Sequence, residues 1–259
     1  MKKYFYVTAL IFMIFNGPVS ASEWTIEDYY IGGGYSNGYV QKSGDVISLK
    51  DEINLFNIRN MIVNIDDYTG AVQIKIRTDY IDGSRTTNYG DLFISTNGWK
   101  PFGTSPYKTD IYGNGEAWEF AFNTNAKKIY KTADTSILTS NSFFDSVNGS
   151  VAHDPDNWYR RDQEVQINPG SAVPVSTGET SFSQTIGYLT YAFSLSDLGI
   201  SVAEGYDLGF RWTMTCANDI IEGGVSKVPV PEPATMILMG MGLLGISATL
   251  RKKQPGSSE

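Results

Sequence analysis

The chain has 259 residues, of which 28 are acidic and 20 are basic, giving a formal charge of −8 at pH 7. This acidic balance argues against nucleic acid as a partner, because the phosphates would be repelled. Cys216 is the single cysteine, so no internal disulfide can form. We expect its thiol to be buried as a small hydrophobic group rather than paired with another chain.

The N-terminus has the three parts of a secretory signal. Two lysines supply positive charge, an apolar stretch runs over Tyr4–Phe15, and small residues precede a cleavage point between Ala21 and Ser22. This pattern predicts a signal peptide over residues 1–21, export by the Sec machinery and removal by signal peptidase. A retained anchor is the alternative, but the apolar stretch is shorter than the ~20 residues that a membrane span needs.

Between the two ends, residues 22–227 show the alternation typical of β-strands. Apolar and polar side chains alternate with a period of two in Ala71–Thr78, Tyr188–Leu195 and Leu208–Thr215. Shorter segments rich in aromatic and β-branched residues predict further strands. They are Trp24–Ile31, Asp45–Leu49, Met61–Ile65, Leu92–Ser95, Trp118–Phe122, Lys128–Lys131 and Glu164–Ile167. The sequence therefore predicts an all-β fold, with a single jelly-roll-like β-sandwich as the exported domain.

Two regions of this domain lack the alternation. Residues 140–180 are polar and poorly periodic, and we predict long loops there, on one sandwich, rather than a linker between two domains. One short helical turn is predicted around Ser196, Asp197 and Leu198.

The C-terminus contains three consecutive parts with different physical roles. They are Pro231-Glu232-Pro233, the apolar residues 234–250, and the basic group Arg251, Lys252 and Lys253. The prolines make a stiff, extended stretch. The apolar part predicts a transmembrane helix at the short end of the usual ~17–25 residues. The basic group stops transfer and keeps the end in the cytoplasm. An ordinary single-span anchor behind a proline-rich stalk is the alternative.

In this order the three parts resemble the PEP-CTERM sorting signal, over residues 228–253. The resemblance implies that an exosortase, a membrane-embedded cysteine transpeptidase of Gram-negative bacteria that make exopolysaccharide, cuts near Pro231-Glu232-Pro233. The nucleophile would belong to that enzyme. The resemblance also implies an inner-membrane intermediate, a cytoplasmic tail at residues 254–259, and a final location at the cell surface or in the extracellular matrix, where exopolysaccharide is a partner.

Parts of the domain resemble other exported proteins. Asp91–Ser95, Trp118–Phe122, Tyr191–Gly199 and Leu208–Gly223 look like the bodies of some exosortase-dependent surface proteins. In outline they also resemble DOMON-like and family 9 carbohydrate-binding β-sandwiches, which bind sugar or haem. That second likeness rests on strand order, so it implies no particular binding residue in this chain.

Few residues suit catalysis. His153 is the single histidine and is followed by Asp154, but the Gly-x-Ser-x-Gly sequence of many serine hydrolases is absent. Glu116 and Glu119 lie three residues apart beside a predicted strand, which places them on opposite faces and makes them poor partners in a glycosidase. We therefore predict that the protein is not an enzyme.

Carboxylates in turns make calcium the most plausible cofactor, because Ca²⁺ prefers oxygen ligands. Our candidate ligands are Asp91, Asp110 and Asp219, since the second and third can meet a strand end near the first. No segment matches a defined calcium loop, so solvated turn carboxylates are the alternative.

Two of the five tryptophans are candidate sugar-binding residues. Trp99 and Trp158 lie in predicted loops beside polar groups, where an indole can stack on a sugar ring. Packing of each indole over the core is the alternative. Three functions stay open: a non-catalytic matrix protein associated with exopolysaccharide, which we favour, a self-assembling coat protein, and a carbohydrate-active enzyme.

Overall fold

The structure is a computed structural model. It describes residues 21–28, 41–42, 45–46, 56–80, 82, 87–105, 107, 109–143, 160–176, 181–185, 187–228 and 241–243. The chain divides into two units, residues 1–227 and residues 228–259, and each is treated by itself. The predicted signal peptide lies outside the described residues except for Ala21, and so do His153 and Trp158.

The first sheet of the larger unit has five antiparallel strands. In spatial order they are β1 (Ala21–Glu27), β4 (Ile58–Asp66), β5 (Ala71–Thr78), β12 (Tyr188–Ser194) and β11 (Ser181–Thr185). Each sequence-adjacent pair, β4 with β5 and β11 with β12, is joined by a short turn. A separate small pair consists of β2 (Gln41–Lys42) and β3 (Asp45–Val46).

The second sheet also has five antiparallel strands. Their spatial order is β14 (Ile220–Lys227), β13 (Tyr206–Thr213), β6 (Leu92–Ser95), β7 (Phe120–Asn123) and β8 (Lys128–Lys131). In the described part of the chain β14 pairs only with β13, just as β1 pairs only with β4, so each sheet has a free edge there.

The core lies between the two sheets because side chains alternate along their strands. In β5, Val72, Ile74 and Ile76 are buried, whereas the residues between them are exposed or half-buried. They share one cluster with Phe210 and Trp212 of β13. Full burial of a side chain of this kind contributes roughly 1.5–3 kcal/mol. The predicted all-β sandwich is confirmed.

The outer face of the second sheet is covered. Strands β9 (Ser136–Thr139) and β10 (Glu164–Asn168) pair antiparallel, and Asp91 N–H donates a 2.8 Å hydrogen bond to the Val165 carbonyl oxygen. We call β9, β10 and the loop of residues 96–119 the cover layer. A second apolar cluster lies between this layer and the sheet. The sheet contributes Phe93, Ala121 and Tyr130, and the cover layer contributes Trp118 and Ile167. The cover layer turns the outer face of the second sheet into a buried interior.

Strand prediction is most accurate where the alternation is long or the residues are strongly apolar. Residues 71–78, 92–95 and 128–131 are strands with the predicted bounds. No strand is predicted at β9, β11 or β14, since β11 is rich in serine and β14 contains two adjacent glycines. The predicted helical turn near Ser196 is confirmed as a 3-10 turn over Leu195–Leu198.

In the smaller unit the structure describes Val228 and a helical segment at residues 241–243. Among the residues that the structure describes, no helix is both long enough and apolar enough to cross a membrane. The predicted transmembrane helix at residues 234–250 lies outside the described residues except for 241–243. The same holds for Pro231, Glu232, Pro233, Arg251, Lys252 and Lys253.

Candidate functional site

An open groove of about 420 Å³ lies beside the free edges of the two sheets. Thr25–Glu27 of β1 and residues 222–226 of β14 line it, together with Gly98–Lys100 after β6 and Asp207 of β13. We call this the edge groove. The predicted sugar-binding residue Trp99 lines it together with residues of both sheets.

Two adjacent glycines of β14 let other parts of the chain approach that strand closely. A Cβ atom on Gly223 would lie 2.5 Å from Cγ2 of Ile26, and a Cβ atom on Gly224 would lie 3.1 Å from Cβ of Trp99. A side chain at either position would push β1 or the Trp99 loop outward. The glycine pair therefore sets how closely the two sides of the edge groove approach β14.

Trp99 is held in place by polar and aromatic contacts. Its indole Nε1–H donates a 3.0 Å hydrogen bond to Oε2 of Glu222, and its ring packs edge-on against Tyr107 with centroids 5.3 Å apart. The side chain is half-buried and contacts the clusters beneath the cover layer. The indole thus fastens the loop to the second sheet and, at the same time, lines the edge groove.

The edge groove has a polar, mildly acidic rim. Glu27 and Asp207 are exposed carboxylates, and exposed Lys100 donates a 2.8 Å hydrogen bond from Nζ to Oδ1 of Asn97. The rim therefore carries more negative than positive charge. Such a rim favours neutral or cationic ligands over acidic ones.

Arg211 of β13 is the centre of a buried ionic network beneath the cover layer. Its Nη1 pairs with Glu222, its Nη2 lies 3.5 Å from Oε2 of Glu164, and Nη2 donates a 2.9 Å hydrogen bond to Gln163. The side chains of Arg211, Glu164 and Glu222 are at most 5% exposed. Burial lowers the pKa of Arg211 and raises that of Glu164, while their mutual attraction opposes both shifts.

This network was not predicted from the sequence. The feature of the sequence that could have indicated it is a charged residue, Arg211, between Phe210 and Trp212 in a strand that is otherwise apolar at its centre. A strand covered on one face only would expose that arginine. Its burial depends on the cover layer, which the sequence does not predict.

Asp91 joins three elements at the start of β6. Its Oδ1 accepts a 2.8 Å hydrogen bond from the Thr124 backbone N–H, and its Oδ2 accepts bonds of 2.9 Å from Ile167 N–H and 3.0 Å from Asn123 Nδ2. The side chain is fully buried. Burial raises the pKa of Asp91 to about 6, and these donors oppose the shift.

The other two predicted calcium ligands have separate positions. Asp219 accepts a 2.6 Å hydrogen bond from Ile58 N–H, which ties the β13–β14 turn to the start of β4 in the opposite sheet. Asp110 accepts a 2.6 Å bond from Phe102 N–H inside the cover layer, and burial raises its pKa.

The structure does not bring Asp91, Asp110 and Asp219 together as a calcium site. Within the described ranges, no group of three or more His, Cys, Asp or Glu side chains is placed to hold a metal ion. The physical reason is that each carboxylate accepts hydrogen bonds from a different set of backbone N–H groups, and these fix the three in separate places.

The two glutamates considered as a glycosidase pair, and the single cysteine, have structural roles. Glu116 accepts hydrogen bonds from Ser95 Oγ at 3.1 Å and Lys100 N–H at 2.7 Å, whereas Glu119 accepts a 2.8 Å bond from Thr96 N–H. Each glutamate thus fastens the start of the cover-layer loop. Cys216 is buried as expected, and burial raises the pKa of its thiol to about 12.

The predicted signal-cleavage residues begin the first strand. Ala21 is the partner of Asp66 and Ser22 the partner of Ile65 in the β1–β4 register. The predicted cleavage therefore falls after the first residue of strand β1.

These features define an all-β domain with a buried ionic network and an open groove at its sheet edges. Residues 229–253 match the PEP-CTERM protein-sorting motif. The predicted resemblance is confirmed, and the chain is an exosortase-dependent protein sorted to the cell surface or the extracellular space. No curated protein and no solved structure matches the chain.

Proposed function

We propose that the mature domain is a non-catalytic protein of the cell surface or matrix that associates with exopolysaccharide through the edge groove. The observation that carries this proposal is the groove itself, because it combines an indole, exposed polar groups and a glycine pair in one open cleft. The carboxylates that a glycosidase would need are engaged in structural hydrogen bonds, which favours binding over catalysis.

The charge of the rim selects the kind of polysaccharide. Glu27 and Asp207 face solvent near one lysine, Lys100, and the whole chain is acidic. Uronic or sulfated polymers would be repelled, whereas neutral or amine-bearing sugars would not. The ligand class that suits the groove is therefore a polysaccharide without acidic groups.

Substitutions at the rim test the groove. We expect Lys100→Ala and Asp207→Ala each to weaken binding of the mature protein to purified neutral exopolysaccharide about 2–10-fold, because each removes roughly one net hydrogen bond. Isothermal titration calorimetry would measure the change.

Tyr68→Ala is the matched control, since Tyr68 is 85% exposed in the β4–β5 turn and is not part of the groove lining. Binding that is equal in all variants, or no binding at all, would contradict the groove proposal. It would leave a self-assembling coat protein as the next function to test.

The route to the surface has its own test. We propose that signal peptidase removes residues 1–21, that a Gram-negative inner membrane holds the intermediate, and that exosortase cuts near Pro231-Glu232-Pro233. Replacing these three residues by alanine is expected to leave protein with an uncut C-terminus in the inner membrane, whereas wild-type cells release a domain ending near Pro231. Fractionation with intact-mass measurement distinguishes the two.

Two controls complete this test. Glu259→Ala changes an acidic residue beyond the matched motif and should be processed normally. In cells without exosortase, every variant should keep its C-terminal sorting signal. Release of the domain in those cells would contradict the exosortase route.

A further inference from the structure

The first and last strands of the domain meet at Asp67, in the turn between β4 and β5. Ser22 Oγ in β1 donates a 2.9 Å hydrogen bond to Oδ2 of Asp67, and Nζ of Lys227 in β14 lies 2.6 Å from Oδ1. The Asp67 side chain is only 13% exposed. One carboxylate therefore holds the beginning and the end of the domain at one corner.

A buried hydroxyl completes this corner. Tyr206 lies opposite Lys227 in the β13–β14 register and packs edge-on against Trp24 of β1, with ring centroids 5.9 Å apart. Its Oη is buried beside the side chain of Ser22. Burial, together with the negative charge of Asp67, raises the pKa of Tyr206 to about 12. The corner thus places a buried hydroxyl oxygen and a negative carboxylate beside Ser22.

We propose that this corner, formed by Ser22, Asp67, Tyr206 and Lys227, binds the α-ammonium group of the processed N-terminus. The proposal rests on the predicted cleavage between Ala21 and Ser22. Hydrolysis adds water across that peptide bond, so Ala21 leaves with a carboxylate and the nitrogen of Ser22 becomes a primary amine. At neutral pH that amine takes up a proton and carries a positive charge.

The new charge appears on the residue whose hydroxyl already bonds to Asp67. A neutral amide with one N–H is replaced by an ammonium with three N–H donors. A charged donor beside a carboxylate gives a stronger hydrogen bond than a neutral one. Removal of the signal peptide therefore stabilises the folded domain at this corner.

The same corner connects the two processing events. Lys227 is the last residue of β14, and the sorting motif begins two residues later, at residue 229. Asp67 therefore joins the strand that follows the predicted signal-cleavage site to the strand that leads into the sorting motif. The new ammonium and Lys227 share this one carboxylate, so their mutual repulsion limits how much the cleavage stabilises the corner.

The pH dependence of this stabilisation has a definite sign. An α-amino group ordinarily has a pKa of about 8, and a neighbouring carboxylate raises it in the folded state. The stabilisation is then complete below about pH 8 and is lost as the pH rises through the raised pKa.

The test uses the exported, processed protein, whose first residue is established by intact mass. Inserting two glycines directly after Ala21 leaves the cleavage site in place but moves the α-ammonium about 7 Å along the chain. We expect the thermal midpoint at pH 7 to fall by about 2–4 °C. In an Asp67→Asn background the same insertion should not lower the thermal midpoint further. The control background is Glu23→Gln, which removes an exposed carboxylate of β1, and there the insertion should lower the midpoint by the full amount.

A second measurement applies if Asp67→Asn does not fold. When the pH is raised from 7 to 10, the thermal midpoint of the wild type should fall further than that of the glycine insertion. The reason is that the insertion has already removed the contact between the α-ammonium group and Asp67. Equal pH dependence, or an insertion effect that persists without Asp67, would overturn the proposal. A mature chain that begins at a residue other than Ser22 would also overturn it. None of these outcomes alters binding at the edge groove, so the proposed function is tested separately.

Discussion

Arg211→Met is expected to lower the free energy of unfolding of the mature domain by about 3–5 kcal/mol. The substitution removes the cation that faces Glu222 and Glu164 beneath the cover layer and leaves both carboxylates buried without it. Methionine fills a similar volume, so the loss comes from uncompensated charge rather than from an empty space. Urea unfolding of the processed protein at pH 7, followed by circular dichroism, would measure it.

A surface pair and a double variant serve as controls for this prediction. Arg59 pairs with Asp79 at 2.6 Å, but its side chain is 44% exposed, so Arg59→Met should change stability by no more than about 1 kcal/mol. Adding Glu222→Gln to Arg211→Met removes one buried charge and keeps an acceptor for Trp99. The double variant should therefore be more stable than Arg211→Met alone. Equal losses from Arg211→Met and Arg59→Met would refute the buried-network account.

The two packed sheets were predictable because their strands carry local patterns. Ala71–Thr78 alternates strictly, and a one-residue shift would expose its whole apolar face, so its register is well determined. β14 has no such pattern. Its Gly223 and Gly224 are explained by contacts with Ile26 and Trp99, which are nearly 200 and more than 120 residues away. Contacts between residues so far apart in the chain produce no local sequence pattern from which they could be predicted.

The polar residues show the same limit. Asp91 and Asp219 were predicted as calcium ligands, but each accepts hydrogen bonds from backbone N–H groups of a strand distant in sequence. The sorting motif was predictable because its proline, apolar and basic parts are consecutive in the chain. Arg211 was missed because its importance depends on the cover layer, which is assembled from segments with little periodicity.

A sandwich with one outer face buried under a polar cover layer has an unusual response to acid. Paired or hydrogen-bonded carboxylates near the surface usually have lowered pKa values, and their protonation destabilises the fold. Here burial raises the pKa of Asp91, Asp110 and Glu164. These groups take up protons more readily in the folded domain than in the unfolded chain. The interior carboxylates therefore oppose acid unfolding.

Asp91 should show this effect most clearly. Burial raises its pKa from 3.8 to about 6 in the folded domain. The folded state then binds the proton more tightly, so the contribution of Asp91 to stability is complete below about pH 4 and is lost as the pH rises through about 6. Between pH 4 and pH 7 the free energy of unfolding of the wild type, relative to Asp91→Asn, is expected to fall by about 2 kcal/mol. Urea unfolding of both proteins across this range would measure the difference.

Asp66 provides a control of opposite sign. It is half-buried, its Oδ1 accepts hydrogen bonds from Thr69 N–H at 2.7 Å and Tyr68 N–H at 2.9 Å, and these bonds lower its pKa. The contribution of Asp66 is therefore present above the unfolded pKa and is lost as the pH falls, so wild type relative to Asp66→Asn should lose stability towards pH 3. A stability difference between wild type and Asp91→Asn that stays constant from pH 4 to pH 7 would show that the hydrogen bonds to Asp91 fully offset its burial.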